Sequence, residues 1–112
     1  MKAAAECTTM PELRVAIDAL DARLVALLAE RARYIDRAAE LKAANGLPAN
    51  IPARVEEVVA KVKAEAAAQG FDPALAEQIW RGLIAWSIAR EEQRIPAIRA
   101  ASGALAQAGA AR

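Results

Sequence analysis

Residues 11–45 constrain the fold more than any other stretch: PELRVAIDALDARLVALLAERARYIDRAAELKAAN, closed by Gly46. Leu13, Ile17, Leu20, Leu24, Leu27 and Leu28 recur at three- and four-residue steps, the period of a helix with one apolar stripe. Arg31 then stands where a Leu or Ile is expected. About eleven residues make three helical turns, so Leu20, Arg31 and Lys42 fall nearly on one line. Arg31 therefore points the way the leucines point. A charge aimed into apolar surroundings is costly unless it is paired, which makes Arg31 and Lys42 the first candidate functional positions.

A helix of some thirty residues is about 50 Å long at ~1.5 Å per residue. A compact domain of this chain's length has a radius of gyration of about 13 Å. Two shorter helices from the remainder are little to cover the stripe of such a rod. The seam Leu13, Ile17, Leu20, Leu24, Leu27, Arg31, Tyr34, Ala38, Leu41 alternates four and three, as coiled-coil seams do. The expectation is that it packs on a second copy as a twofold homodimer. The alternative is a long helix covered within a monomeric bundle.

The rest of the chain reads as helical too. Residues 1–10 form an N-terminal arm, with Thr8 or Thr9 as helix cap, Pro11 in the first turn and Glu12 near the positive end. Asn45-Gly46 stops the first helix and a two-proline loop, GLPANIPA, follows. A second helix spans about Ala53 to Gln69, burying Val55, Val58, Val59 and Val62 and stopping at Gly70. Asp72-Pro73 opens a third, whose stripe includes Leu75, Ile79, Leu83, Ile84, Ile88, Ile95 and Ile98, with Trp80 and Trp86 adding bulk. Pro96 is expected to kink or end it. The domain proper is placed at 11–101 and a flexible tail at 102–112. The fold class is all-α, one long helix and two shorter ones per chain, in an intertwined homodimeric bundle.

Composition narrows the function. The formal net charge of +1 gives no broad electrostatic case for nucleic acid or an anionic membrane. No stretch has the length and apolarity of a signal peptide or a membrane span, and a cytoplasmic protein is the expectation. The single Cys7 cannot form an internal disulfide. With no His, there is no His-based triad, His general base or His-built metal site. No phosphate-cradling glycine pattern appears. An enzyme of this composition works without a strong nucleophile, and neither a metal nor another cofactor is expected.

The third helix repeats the anomaly of the first. Ile84, Ile88, Glu91, Ile95 and Ile98 form a seam with one carboxyl in it, and Ser87 lies four residues before Glu91 on roughly the same side. One reading is an Arg31–Glu91 ion pair inside a bundle, fixing register. The other is a pocket between helices, lined by cations and a carboxyl, for a small anion. Arg14 lies about 25 Å before Arg31 on one rod. The two can share a small ligand only if Arg14 comes from a second chain in an antiparallel pair. Taken alone, Arg14 reads as an ordinary first-turn surface residue.

The stretch LRVAIDALDARLVALLAERARYIDRAAELK resembles the first helix of the all-helical chorismate mutase family: an early Arg, I-D-x-x-D, L-x-x-R and a Lys eleven residues on. IWRGLIAWSIAREEQ resembles that family's third helix, so the likeness runs over roughly residues 6–95. The opening E-C-T and the loop I-P-A-x-R-V look still more like the isochorismate pyruvate lyase branch. The resemblance implies an intertwined homodimer with two sites, each holding one Arg of the partner chain. By position Arg14 is that Arg, Arg31 binds a substrate carboxylate, and Lys42 contacts a carboxylate and the ether oxygen. Arg54 lies near the ring, Ser87 at the ring carboxylate and Glu91 at the ether oxygen, where many bacterial members carry Gln.

The implied chemistry suits the missing nucleophile. Chorismate rearranges to prephenate in a pericyclic step without proton transfer. The protein must hold a dianion compactly and stabilise charge growing on the ether oxygen. Elimination of isochorismate to salicylate and pyruvate can use the same pocket. Two departures from the family pattern involve three positions. Ile51 and Val55 are apolar where bacterial mutases carry acidic residues for the ring hydroxyl. Glu91 in ionised form would repel the ether oxygen, so the expectation is that it works protonated. The first expectation is therefore a chorismate mutase, the second an isochorismate pyruvate lyase, and the third a non-enzymatic helical dimerisation module.

Overall fold

The computed structural model describes residues 2–110, with 106–110 as backbone only. The described residues are all-α. A short 3₁₀ turn at Ala4–Glu6 precedes three helices: α1 (Met10–Asn45), α2 (Pro52–Ala68) and α3 (Pro73–Ala110). The chain divides into two compact units, Met1–Tyr34 and Ile35–Arg112.

In the first unit the arm is tied to the start of α1. The Thr9 hydroxyl accepts from the Glu12 backbone N–H at 3.3 Å, so Thr9 caps the helix. Glu12 reaches back to accept from the Thr8 N–H at 3.1 Å, and Lys2 lies 3.4 Å from the same carboxylate. The leucine stripe stands exposed in the single chain: Ile17, Leu20 and Leu28 by more than two-fifths, Leu24 and Leu27 by 56% and 60%. Single exposed apolar residues are ordinary, but a contiguous stripe of them marks an interaction surface.

In the second unit each helix ends where the glycines demand. Gly46 and Gly70 both adopt positive φ, 69° and 72°, a conformation that costs any residue with a Cβ. Each lets the next N–H fold back over the helix end. Leu47 donates to the Lys42 carbonyl at 2.9 Å, and Phe71 to that of Ala66 at 2.8 Å. Asp72 opens α3 by accepting from the Ala74 N–H at 2.9 Å. With only the turn 69–72 between them, α2 and α3 pack extensively, and Val59, Ala66, Ala76 and Ile84 are buried. Arg81 ties the pair from outside, meeting Glu56 of α2 at 3.2–3.3 Å and Glu77 at 2.8 Å.

The last turns of α1 join this pair through a small cluster: Ala39, Ala49 and Ile95, with Ala43, Ile88 and Ile98 around them. Ala39 is fully buried whereas Leu41, which the seam would turn inward, is 48% exposed. Here α1 offers its own chain the alanine face. The face carrying Leu41 is left uncovered.

Two expectations need correction. α3 is not a shorter helix, at 38 residues against 36 for α1. Nor does it stop at Pro96, which lies inside it. A proline forfeits one backbone hydrogen bond and costs about 3 kcal/mol in a helix interior. Pro96 itself is exposed, while Ile95 is buried and Ile98 half-buried on the inner face. Burying such side chains contributes about 1.5–3 kcal/mol each, enough to carry the helix across. Of the expected tail, residues 102–110 are helical, and 111–112 lie outside the described residues.

Gly70 meets no atom within 4 Å of where a Cβ would stand. Its substitution is therefore a test of backbone conformation alone. Gly70→Ala is expected to lower the unfolding free energy by about 1 kcal/mol, read by chemical denaturation, with no change in helix content.

Candidate functional site

The polar positions of the second unit converge where α1 ends against α3. Lys42 is on the last full turn of α1, and its Nζ donates to the Ala49 carbonyl at 2.8 Å. The same nitrogen lies 2.8 Å from Glu91 Oε1 on α3, a charge contact without an aligned hydrogen bond. Glu91 is only 3% exposed, and the Lys42 side chain 19%. Ala49 is held against the ammonium because it is itself buried beside Ala39 and Ile95. One turn before Glu91, Ser87 is 4% exposed and its hydroxyl donates back to the Leu83 carbonyl at 2.7 Å. Such back-bonding is how a serine is accommodated within a buried helix face.

A second ion-pair group lies alongside. Arg90 grips Asp36 of α1 with two nitrogens, at 2.9 and 3.2 Å, and Arg94 Nε lies 3.5 Å from the same carboxylate. The Arg90 hydrogen bonds hold the Asp36 carboxyl below its ordinary 3.8 against the opposing effect of desolvation, with the charges of Arg90 and Arg94 adding to the lowering. Arg90 is raised in turn by the same bonds. Sequence reasoning missed this group. The available signal was that Arg90 and Arg94 stand one turn apart and can reach a common acid.

The other expected residues fall elsewhere. Arg54 is in the first turn of α2, exposed, with its guanidinium 2.8 Å from Glu57. Arg14 and Arg31 belong to the first unit, Arg14 exposed and Arg31 half-buried. A cavity of ≈ 380 Å³ opens between the start of α2 and the middle of α3, walled by Pro52, Val55, Ile84, Ala85 and Ile88, with Asn50, Glu56 and Arg81 around it. Its walls are aliphatic, and the Glu56 and Arg81 charges are spent on each other. Ile84 and Ile88 are shared between this cavity and the face of α3 that carries Glu91. Among the described residues no group of three His, Cys, Asp or Glu is placed to hold a metal ion. No helix among them is long and apolar enough to cross a membrane.

The arrangement presents a half-buried ammonium with one N–H engaged by the Ala49 carbonyl, beside the buried Glu91 carboxyl, while the aliphatic cavity shares Ile84 and Ile88 with the same helix. It is suited to an anionic group on an apolar body. Comparison with known proteins bears directly on this. Residues 13–92 match the family model for chorismate mutase type II. The chain belongs to the chorismate mutase type II family. It is 34% identical over 82 residues to the T-protein of Enterobacter agglomerans, covering 73% of this chain but 22% of that protein. Over 92 residues it is 32% identical to the isochorismate pyruvate lyase of Pseudomonas aeruginosa, covering 81% of this chain and 89% of the lyase. The chain thus spans about a fifth of the first relative and nearly all of the second. The chorismate mutase match contains Arg14, Arg31, Lys42, Arg54, Ser87 and Glu91.

Removing one partner of a buried ion pair strands the other charge, at a cost of about 3–5 kcal/mol. Lys42→Met is therefore expected to destabilise the fold by that order in equilibrium denaturation, and Lys42→Met with Glu91→Met to recover most of the loss. A second expectation follows from Asp36. Its carboxyl is lowered in the folded chain, so its contribution to stability is present above the ordinary carboxylate range and fades as pH falls through the folded-state value. Thermal midpoints of wild type should drop between pH 5 and 3 more steeply than those of Asp36→Asn.

Proposed function

We propose that this chain is a homodimeric enzyme acting on a chorismate-type dicarboxylate, and first that it converts chorismate to prephenate. The reading is supported by one observation: within the chorismate mutase type II match, Lys42 and Glu91, both polar interruptions of apolar helix stripes, meet at 2.8 Å where α1 ends. The rearrangement breaks the ether C–O bond as a C–C bond forms, so the protein has only to compress the substrate and meet charge on the ether oxygen. Arg31 takes one carboxylate, and Lys42 faces the other and the ether oxygen. Ser87 meets the ring carboxylate, and Arg54 closes over the ring. Glu91 stands at the ether oxygen, where a neutral donor such as the amide of Glu91→Gln would meet the developing charge better than a carboxylate.

Dimerisation supplies what the single chain lacks. The exposed Ile17, Leu20, Leu24 and Leu27 stripe is a seam for a second copy. An antiparallel pairing brings Arg14 of one protomer level with Arg31 of the other. The dimer is thus both a packing requirement and the completion of the site.

A second reading is isochorismate pyruvate lyase, with salicylate and pyruvate as products. Two observations favour it: the near full-length likeness to the Pseudomonas aeruginosa lyase, and the aliphatic Ile51 and Val55 at the start of α2. A non-enzymatic dimerisation module is the third reading.

Incubation of the pure protein with chorismate, then with isochorismate, separates the three. Prephenate is expected, with salicylate plus pyruvate as the lyase outcome. No turnover of either and no dicarboxylate binding would leave the module. Arg31→Ala and Lys42→Ala are each expected to lower turnover by a factor of about 10² or more, and full activity in both would end the site assignment. Glu91→Gln should keep or raise turnover. Leu24→Asp should convert a sedimenting dimer to a monomer and remove activity with it.

A further inference from the structure

We infer that Asp36, Arg90 and Arg94 are positioning residues, whose clamp sets where Lys42 stands relative to Glu91. The contact between the end of α1 and α3 is thin. What α1 contributes from within the layer are the methyl groups of Ala39 and Ala43, against Ile88, Ile95 and Ile98. Alanine methyls give no interdigitating ridge, so they leave the roll of one helix on the other poorly defined. Long polar side chains reach across on either side. Asp36 and Lys42 are separated by about 120° around α1, with Ala39 midway between them. On α3 the adjacent Arg90 and Glu91 diverge by about 100°. One flank of the alanine contact therefore carries Asp36 with Arg90 and Arg94, and the other Lys42 with Glu91.

The two flanks differ in character. The Arg90–Asp36 contact is a two-nitrogen fork, which fixes orientation as well as distance. The Lys42–Glu91 contact is a single unaligned approach. A point-charge ammonium on a flexible stem does not hold a helix in roll, whereas a guanidinium fork does. Rotation of α1 about the alanine contact would widen one flank as it closed the other. The fork thus holds the ammonium within reach of both Glu91 and the Ala49 carbonyl. It does so without touching the group that meets a ligand. Arg94, a turn further along α3, approaches the same carboxylate and resists sliding along the axis.

The test has two arms, of which only the kinetic one rests on the proposed function. In ¹H–¹⁵N spectra of side-chain ammonium groups, Lys42 in wild type should give a slowly exchanging signal. Asp36→Asn and Arg90→Gln should broaden or remove it, and the swapped variant Asp36→Arg with Arg90→Asp should restore it. In the kinetic arm the single variants should lose about tenfold or more in kcat, with KM changing less, and the swap should recover most of the loss. A wild type that turns over neither chorismate nor isochorismate would fail the proposed function, and the ammonium signal would still decide the positioning role. If both single variants lower the melting temperature yet leave the Lys42 signal and kcat unchanged, the clamp is merely structural and the inference is overturned.

Discussion

The ion pair of Lys42 with Glu91 is the constraint around which the second unit is arranged. One buried and one half-buried charge meet at the junction of α1 and α3, an arrangement that adds little to stability by itself. The surroundings are built to tolerate it. Gly46 turns the chain back on itself, Ala49 is buried so that its carbonyl meets the ammonium, and the aliphatic cluster closes behind. Such an assembly is a poor way to make a core and a good way to keep a cation in low dielectric, where its pull on an anion is strongest. The arrangement lies within the stretch that matches the chorismate mutase type II family, and the proposed function gives it a chemical use.

The architecture follows from which faces are covered. α2 and α3 pack on each other through Val59, Ala66, Ala76 and Ile84, with Leu75 and Ile79 of the α3 stripe left exposed, and the end of α1 uses its alanines to join them. The leucine stripe of the first unit is left exposed. Five large apolar residues share that exposed face, which marks an interaction surface, and the proposed second copy would cover it and bring another Arg14. In this account the same strip of α1 is dimer seam along most of its length and ligand site where the charges interrupt it.

Much of this was legible before any coordinates. Three helices, their caps at Thr9 and Asp72, and their stops at Gly46 and Gly70 follow from local chemistry acting over a few residues. The oddity of Lys42, Ser87 and Glu91 was visible as a break in period, since helical spacing says which residues share a face. Pairing was less legible. Spacing pointed to Arg31 as one candidate partner of Glu91, whereas Lys42 is the ion-pair partner found within the second unit, because the choice depends on where α1 ends against α3. The Asp36–Arg90 fork was hidden for the same reason: charged residues on a helix usually face solvent, and only a neighbouring helix makes them partners. Pro96 misled because local cost was weighed without the burial on either side of it.

The most direct test of the central claim is calorimetric. Binding of a non-reactive ring dicarboxylate should be measured in wild type, Lys42→Met and Glu91→Gln. Lys42→Met removes the charge that an arriving anion would meet, whereas Glu91→Gln removes a like charge beside it. The account predicts binding weakened about tenfold or more in Lys42→Met and retained in Glu91→Gln. Equal binding in wild type and Lys42→Met would contradict it.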